Sequence, residues 1–283
     1  MFTGFGTGTN GDFYFTWLSD DQAPSGFTNF VQSAPASDSR WTFANIRKAN
    51  IMLENVDNVP MDAAAKSHWK GVARFFRALA YFRLVKVFGD VPWINKSLDI
   101  SENDIIYKAR DSRALVMDSV LADLNFAYAN LRAVDQPNTV DKNVALALIS
   151  RVGLYAGTYR KYHTELKLPD AAKFLTASKE ASAQLMTAGY KLDADFRTVY
   201  SSLDLSKDNE CILYKQYDPG VLTQSVIGYT NSSTTMEGLN NNAIESFLCT
   251  DGLPISLSAN YKGDADLDHT RMNRDPRLLE TIS

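Results

Sequence analysis

The sequence predicts a mainly α protein, with tetratricopeptide-like helical repeats (an α-α superhelix) followed by a loop-rich, partly β C-terminal portion. Three observations predict it. Five runs with apolar residues at helical spacing fill residues 39 to 189, each bounded by a capping residue, a glycine or a proline. The connections between them are short, so neighbouring helices are expected to pack antiparallel as stacked pairs. After Gly189 the helical period stops, and Gly, Ser, Thr and Asn come to dominate. The expected organisation is a loop-rich segment over 1–38, the helical region over 39–189, and the start of a loop-rich region over 190–283. The likeness to tetratricopeptide repeats is architectural, because no 34-residue self-similarity is visible.

Residues 1–38 are rich in Gly, Ser, Asp and aromatics without a sustained helical period, which predicts an irregular surface segment. Asp38 or Ser39 is placed to cap a first helix carrying Phe43, Ile46, Ala49, Leu53 and Val56, ended by Asn58-Val59-Pro60. Asp62 suits the N-cap of a second helix that runs to Phe88, roughly 40 Å long, where Gly89 can take the left-handed conformation. Trp69, Val72, Phe75, Phe76, Leu79 and Phe82 form its broad apolar face, against a basic stripe of Lys66, Lys70, Arg74 and Arg77. So wide a face predicts packing against two neighbours.

Ser112 opens a third helix through Leu115, Leu121, Leu124, Tyr128 and Leu131, with Pro137 in the loop that follows. A fourth, from about Asn143 to Tyr159, carries Leu146, Ile149, Val152 and Ala156. Its Ala145, Ala147, Gly153 and Gly157 are small enough to admit another helix closely. The fifth starts at Pro169, holds Ala172, Leu175 and Leu185, and ends at Gly189. Beyond it, alternation over residues 210 to 217 predicts one strand, and 218 to 242 reads as a long loop.

The chain has 283 residues, 45% of them hydrophobic, enough to bury a sizeable core in one large domain or two smaller ones. With 22% charged residues and a net charge of −4, its electrostatics point to neither nucleic acid nor an anionic membrane surface. No apolar window is long enough for a membrane-crossing helix. Met1-Phe2-Thr3-Gly4 lacks the features of a secretory signal, which leaves open a cytoplasmic protein or a missing signal. Cys211 and Cys249 have no metal-like spacing. Free thiols are the simplest reading, with a single disulfide left open.

Trp41-Thr-Phe-Ala-Asn45-Ile46-Arg47-Lys48-Ala49-Asn50, then Val72-Ala-Arg74-Phe75-Phe76-Arg77-Ala78-Leu79-Ala80-Tyr81-Phe82-Arg83-Leu84-Val85, then Phe88-Gly89-Asp90-Val91-Pro92, closely resemble the SusD/RagB family. Asp251-Gly252-Leu253-Pro254 and Asn273-Arg274-Asp275-Pro276-Arg277-Leu278 resemble two further segments of the family, in the same order. The resemblance implies tetratricopeptide-like helices and a lipid-anchored protein on the outer face of a Bacteroidetes-type outer membrane. It implies an oligosaccharide ligand, or less often another nutrient, and a SusC-like TonB-dependent barrel transporter as partner. It implies no catalysis and no cofactor, and membrane attachment only through a lipid anchor that this chain does not carry. Set against the family, the chain is expected to be truncated at both ends, so that part of the ligand site is absent. Phe75, Phe76, Leu79, Tyr81 and Phe82 are assigned to the core by their spacing.

Sugar rings are held by aromatic faces stacking on their apolar faces, with Asp, Asn and Arg bonding the hydroxyls. In the family the segment before the Trp41-type helix carries a share of the site, which here singles out Trp17, Asp20, Asp21 and Phe27. The second group of candidates, Tyr217, Tyr229 and Asn231, lies on the 218–242 loop. The plainer alternatives are that Trp17 and Phe27 only fold their loop onto the helices and that the second loop binds nothing.

Gly4, Gly6, Gly8 and Gly11 follow no strand and lack the Lys-Ser/Thr of a phosphate loop. Asp264, Asp266, Asp268 and Asp275 approach a calcium-loop spacing, but His269 stands where Gly is required and Asp275 where a bidentate Glu is. They read as an acidic, solvated loop, and no metal ligand is assigned. His68, His163 and His269 have no metal-ligand partners in sequence, and no Gly-x-Ser-x-Gly elbow is present. The basic stripe of the second helix reads as a solvated or ion-paired face in preference to an RNA site. The leading expectation is therefore a non-catalytic saccharide-binding protein. Its rivals are a helical-repeat adaptor for another protein and a glycoside hydrolase.

Overall fold

A computed structural model describes residues 22–24, 36–218, 220–223 and 237–282. The chain divides into two compact units. One comprises residues 36–192 with 206–213, and the other takes 193–205, the described residues from 214 onward and the strand Gln22–Pro24.

The first unit is helical. Helix α1 (Ala44–Asn55) runs into a 3-10 turn at Val56–Asn58. It is followed by α2 (Ala63–Phe88), the short α3 (Asn103–Ile106), α4 (Arg113–Asn130), α5 (Lys142–Tyr162) and α6 (Ala171–Leu185). Three N-caps explain three of these starts: Asp62 accepts from the Ala65 amide, Ser112 from Leu115 and Asp141 from Val144. Gly89 closes α2 at φ +70°, a conformation that costs glycine least.

Cross-helix contacts show each pair to be antiparallel. Between α1 and α2, Asn50 meets Arg77 while Phe43 meets Tyr81 further along. Between α2 and α4, His68 reaches Arg132 just past the end of α4, whereas Arg77 reaches Asp123. Arg160 near the end of α5 bonds Asp118 near the start of α4. Between α5 and α6, Ser178 donates to the Ser150 carbonyl, and Arg160 donates to the Pro169 carbonyl ahead of α6. Phe75, Tyr81, Leu124, Leu148, Val152 and Phe174 fill one continuous core between these helices. The protein is thus mainly α with stacked helix pairs, as its periodicity predicts.

Several expectations are corrected. Neither Asp38 nor Ser39 caps α1; the Asp38 carboxylate accepts from the Arg40 amide and guanidinium, and the helix begins later, at Ala44. Trp69 and Phe76 are not core: they are 39% and 47% exposed, because the neighbours of α2 leave one side of it uncovered. Of the two readings of the basic stripe, solvated or ion-paired, Arg77 takes the second: it is 5% exposed and forms a two-pronged pair with Asp123 at 2.7 and 2.8 Å. The alternating run over 210–217 is not a strand. The Asp208 carboxylate accepts from the amides of Glu210 and Cys211, turning the chain, and among the described residues no strand lies beside it. Cys211 and Cys249 are free thiols.

The second unit holds α7 (Phe196–Ser201), the strand pair β1 (Gln22–Pro24) and β2 (Glu237–Leu239), and the short helices α8 (Asn241–Glu245), α9 (Leu267–Arg271) and α10 (Pro276–Thr281). An Arg197–Glu280 ion pair ties α7 to α10.

Candidate functional site

Trp17, Asp20, Asp21, Phe27, Tyr229 and Asn231 lie outside the described residues. Tyr217 lies within them. It is half-buried, with the Lys215 ammonium 5.1 Å from its ring centroid, and it precedes a tight turn in which Asp218 and Leu222 exchange backbone bonds around Gly220 at φ +86°. The decisive geometry is in the backbone. β1 and β2 pair antiparallel, Gln22 opposite Leu239, Ala23 opposite Gly238 and Pro24 opposite Glu237. β1 directly follows Asp21 in sequence and β2 lies within the 218–242 stretch, so the ladder joins two parts of the backbone more than 200 residues apart. Their separation along the chain hides this pairing from any local reading.

The ladder has a firm support. Asn240, one residue past β2, caps α8 by accepting from the Ala243 amide. The buried Arg274 guanidinium donates to the carbonyls of Ile244 and Phe247 at 2.8 and 2.7 Å, and to Thr270 at 3.2 Å. A two-way backbone contact joins residues 248–250, just ahead of the Asp251–Pro254 motif, to the Asn273–Leu278 motif: Thr250 donates to the Asn273 carbonyl and Asp275 to Leu248, with Cys249 opposite Arg274. Asn273 sits at φ +58°, Pro276 occupies the first turn of α10, and Leu278 is fully buried. These motif residues therefore build the frame.

Polar side chains cluster on that frame. The Asp251 carboxylate accepts from Ser258 Oγ at 2.7 Å and Asn260 Nδ2 at 3.3 Å, and Asn273 Nδ2 donates to the Asn260 carbonyl at 3.0 Å. The Ser258 hydroxyl and then the Leu253 amide hold the Asp251 carboxyl below its ordinary range. The sequence does not mark Asp251, Ser258 and Asn260 as neighbours, because an Asp and a Ser seven residues apart follow no local pattern. The acidic run is used structurally: Asp266 caps α9 and bonds the His269 ring, while Asp275 caps α10 and holds Arg277. Among the described residues, no group of three or more His, Cys, Asp or Glu is placed to hold a metal ion.

Comparison with known proteins places this architecture. The SusD-like profile described as "Starch-binding associating with outer membrane" matches residues 16–154. A curated SusD-like protein of Formosa agariphila is 32% identical over 151 residues, which is 53% of this chain and 28% of the relative. Over residues 16–154 this is a SusD-like chain. A solved SusD-like carbohydrate-binding protein of Bacteroides fragilis superposes on 98% of this SusD-like chain with a TM-score of 0.70 at 19% identity, using 56% of its own length. A structure described as a laminarin-binding SusD-like protein covers 75% of the chain at a TM-score of 0.59 and 22% identity, using 46% of its own length. The SusD-like chain therefore spans about half the length of these solved relatives and less than a third of the curated one. Among its described residues no helix is long and apolar enough to cross a membrane.

Proposed function

We propose that this chain belongs to a surface-exposed, non-catalytic protein that binds oligosaccharide and delivers it to a SusC-like TonB-dependent barrel transporter in the outer membrane, to which a lipid anchor holds it. The observation that supports the reading is the β1–β2 ladder, which pairs Gln22–Pro24, next in sequence to Asp20, Asp21 and Phe27, with Glu237–Leu239, a few residues after Tyr229 and Asn231; Trp17 and Tyr217 complete the proposed set. Aromatic rings and neutral or acidic hydrogen-bonding groups are the combination that sugars require: ring faces desolvate against C–H surfaces, and carboxylates and amides take the hydroxyls. Support also comes from the family description and from the carbohydrate-binding and laminarin-binding descriptions of two solved relatives.

In this reading no bond is made or broken. Specificity comes from which hydroxyls the loops can reach, and stacking supplies affinity for many ring types. The test is a glycan panel, laminarin oligosaccharides included, read by calorimetry on the full-length protein. The expected result is at least one saturable binder whose affinity falls about tenfold or more in Trp17→Ala, a loss of about 1.4 kcal/mol or more. A panel without a binder overturns the proposal. Co-purification of a barrel transporter with the membrane-anchored protein checks the delivery step, and capture of a soluble partner without any saccharide binding would favour the helical adaptor instead.

A further inference from the structure

His68 is a buried, titratable group that the saccharide reading leaves without a task. It lies on α2, 1% exposed, and faces the turn that joins α4 to α5. Its Nδ1 accepts the Arg132 backbone N–H at 3.2 Å. A ring nitrogen that accepts carries no proton, so the proton of the neutral ring is on Nε2, which donates to Asp135 Oδ2 at 3.1 Å. The other carboxylate oxygen of Asp135 accepts from the Arg132 guanidinium at 3.0 Å. The turn continues into α5 through the Lys142 amide, which donates to the Arg132 carbonyl. One imidazole thus fastens Arg132 and Asp135, near the start of the 131–141 connection, to α2.

We propose that His68 is an acid-operated clasp: its neutral ring holds the α4–α5 turn on α2, and protonation at Nδ1 releases the Arg132 amide. The added N–H points at another N–H, so that bond cannot survive, whereas the Asp135 contact persists with an imidazolium. Among the described residues the charged groups facing the ring are Arg132, which opposes its protonation, and Asp135, which favours it. Burial also opposes protonation, and burial and Arg132 together outweigh Asp135. The open turn returns the ring to water, where it protonates more readily. The clasp therefore loosens as pH falls below the ordinary histidine value of about 6.5.

The test is amide hydrogen exchange of the full-length protein between pH 7 and pH 4, expressed as protection relative to the free peptide at each pH. One linked proton predicts that Arg132 loses protection by up to about tenfold per pH unit below about 6.5. His68→Asn keeps an acceptor near Nδ1 but cannot titrate, and its Arg132 protection is expected to stay flat. Wild-type protection that is independent of pH overturns the proposal. So does a pH dependence that persists in His68→Asn, which would assign the effect to Asp135 or Asp141. A second measurement needs no variant: nitrogen NMR of the wild-type ring is expected to show Nδ1 unprotonated at pH 7, and a protonated Nδ1 there would overturn the assignment.

Discussion

Arg77 is a buried charge that joins three elements of the helical unit. Its guanidinium meets both oxygens of Asp123, donates to Asn50 Oδ1 at 2.9 Å, and lies 5.4 Å from the centre of the Trp93 ring. Asn50 in turn donates to the carbonyls of Ile94 and Lys96, and the Tyr81 hydroxyl donates to the Ile94 carbonyl, so this knot fastens the 92–97 segment to two helices. Asp123→Ala leaves the Arg77 charge buried and unpaired and is expected to lower stability by about 3–5 kcal/mol in urea denaturation. Arg77→Met with Asp123→Leu is expected to recover most of that loss. A single variant within about 1 kcal/mol of wild type would show that the pair contributes little. Helical spacing alone put Arg77 with the lysines, because its partner lies 46 positions on and no local pattern reveals it.

At the scale of elements, the caps and the small residues were the legible signals. Asp62, Ser112, Gly89 and the glycines of α5 each do what their chemistry predicts. A Cβ on Gly153 would stand 2.6 Å from the Phe174 carbonyl oxygen and 2.9 Å from the Ser178 nitrogen, backbone atoms that cannot move aside singly. Gly153→Ala should therefore cost about 1–3 kcal/mol by pushing α6 away, despite the better helix propensity of alanine. Gly71→Ala serves as the control. Its nearest neighbour is the Leu131 side chain at 3.1 Å, so its change in melting temperature is expected to be clearly smaller. The false strand at 210–217 shows the limit of local reading: alternation specifies two faces, but a strand also needs an edge to pair with.

Across the whole molecule, the acid side of the stability profile is set by carboxylates held ionised. Arg40 lowers Asp38 to about 2, Arg277 lowers Asp275, and Ser258 lowers Asp251. A depressed carboxylate stabilises the fold above its unfolded value of about 4, and that contribution is lost as pH falls through the folded value. Asp141 works the other way: burial raises it, so its term favours the fold as pH falls. The depressed groups outnumber it, and melting temperature by circular dichroism is expected to fall steadily below about pH 4. A flat profile from pH 5 to pH 3 would contradict this balance. The candidate site was legible only in part at this scale. Residue types named the two aromatic, polar segments, but their union in one ladder depends on chain topology.

That ladder also imposes an order on biosynthesis. The helical unit is made of neighbours in sequence, each helix packing on one already synthesised, so it can assemble while the ribosome is still at work. Gln22 has to wait for Leu239. Until β2 has emerged, β1 has no partner strand, and a nascent protein stalled between the end of the helical unit and residue 237 would hold folded helices without the ladder.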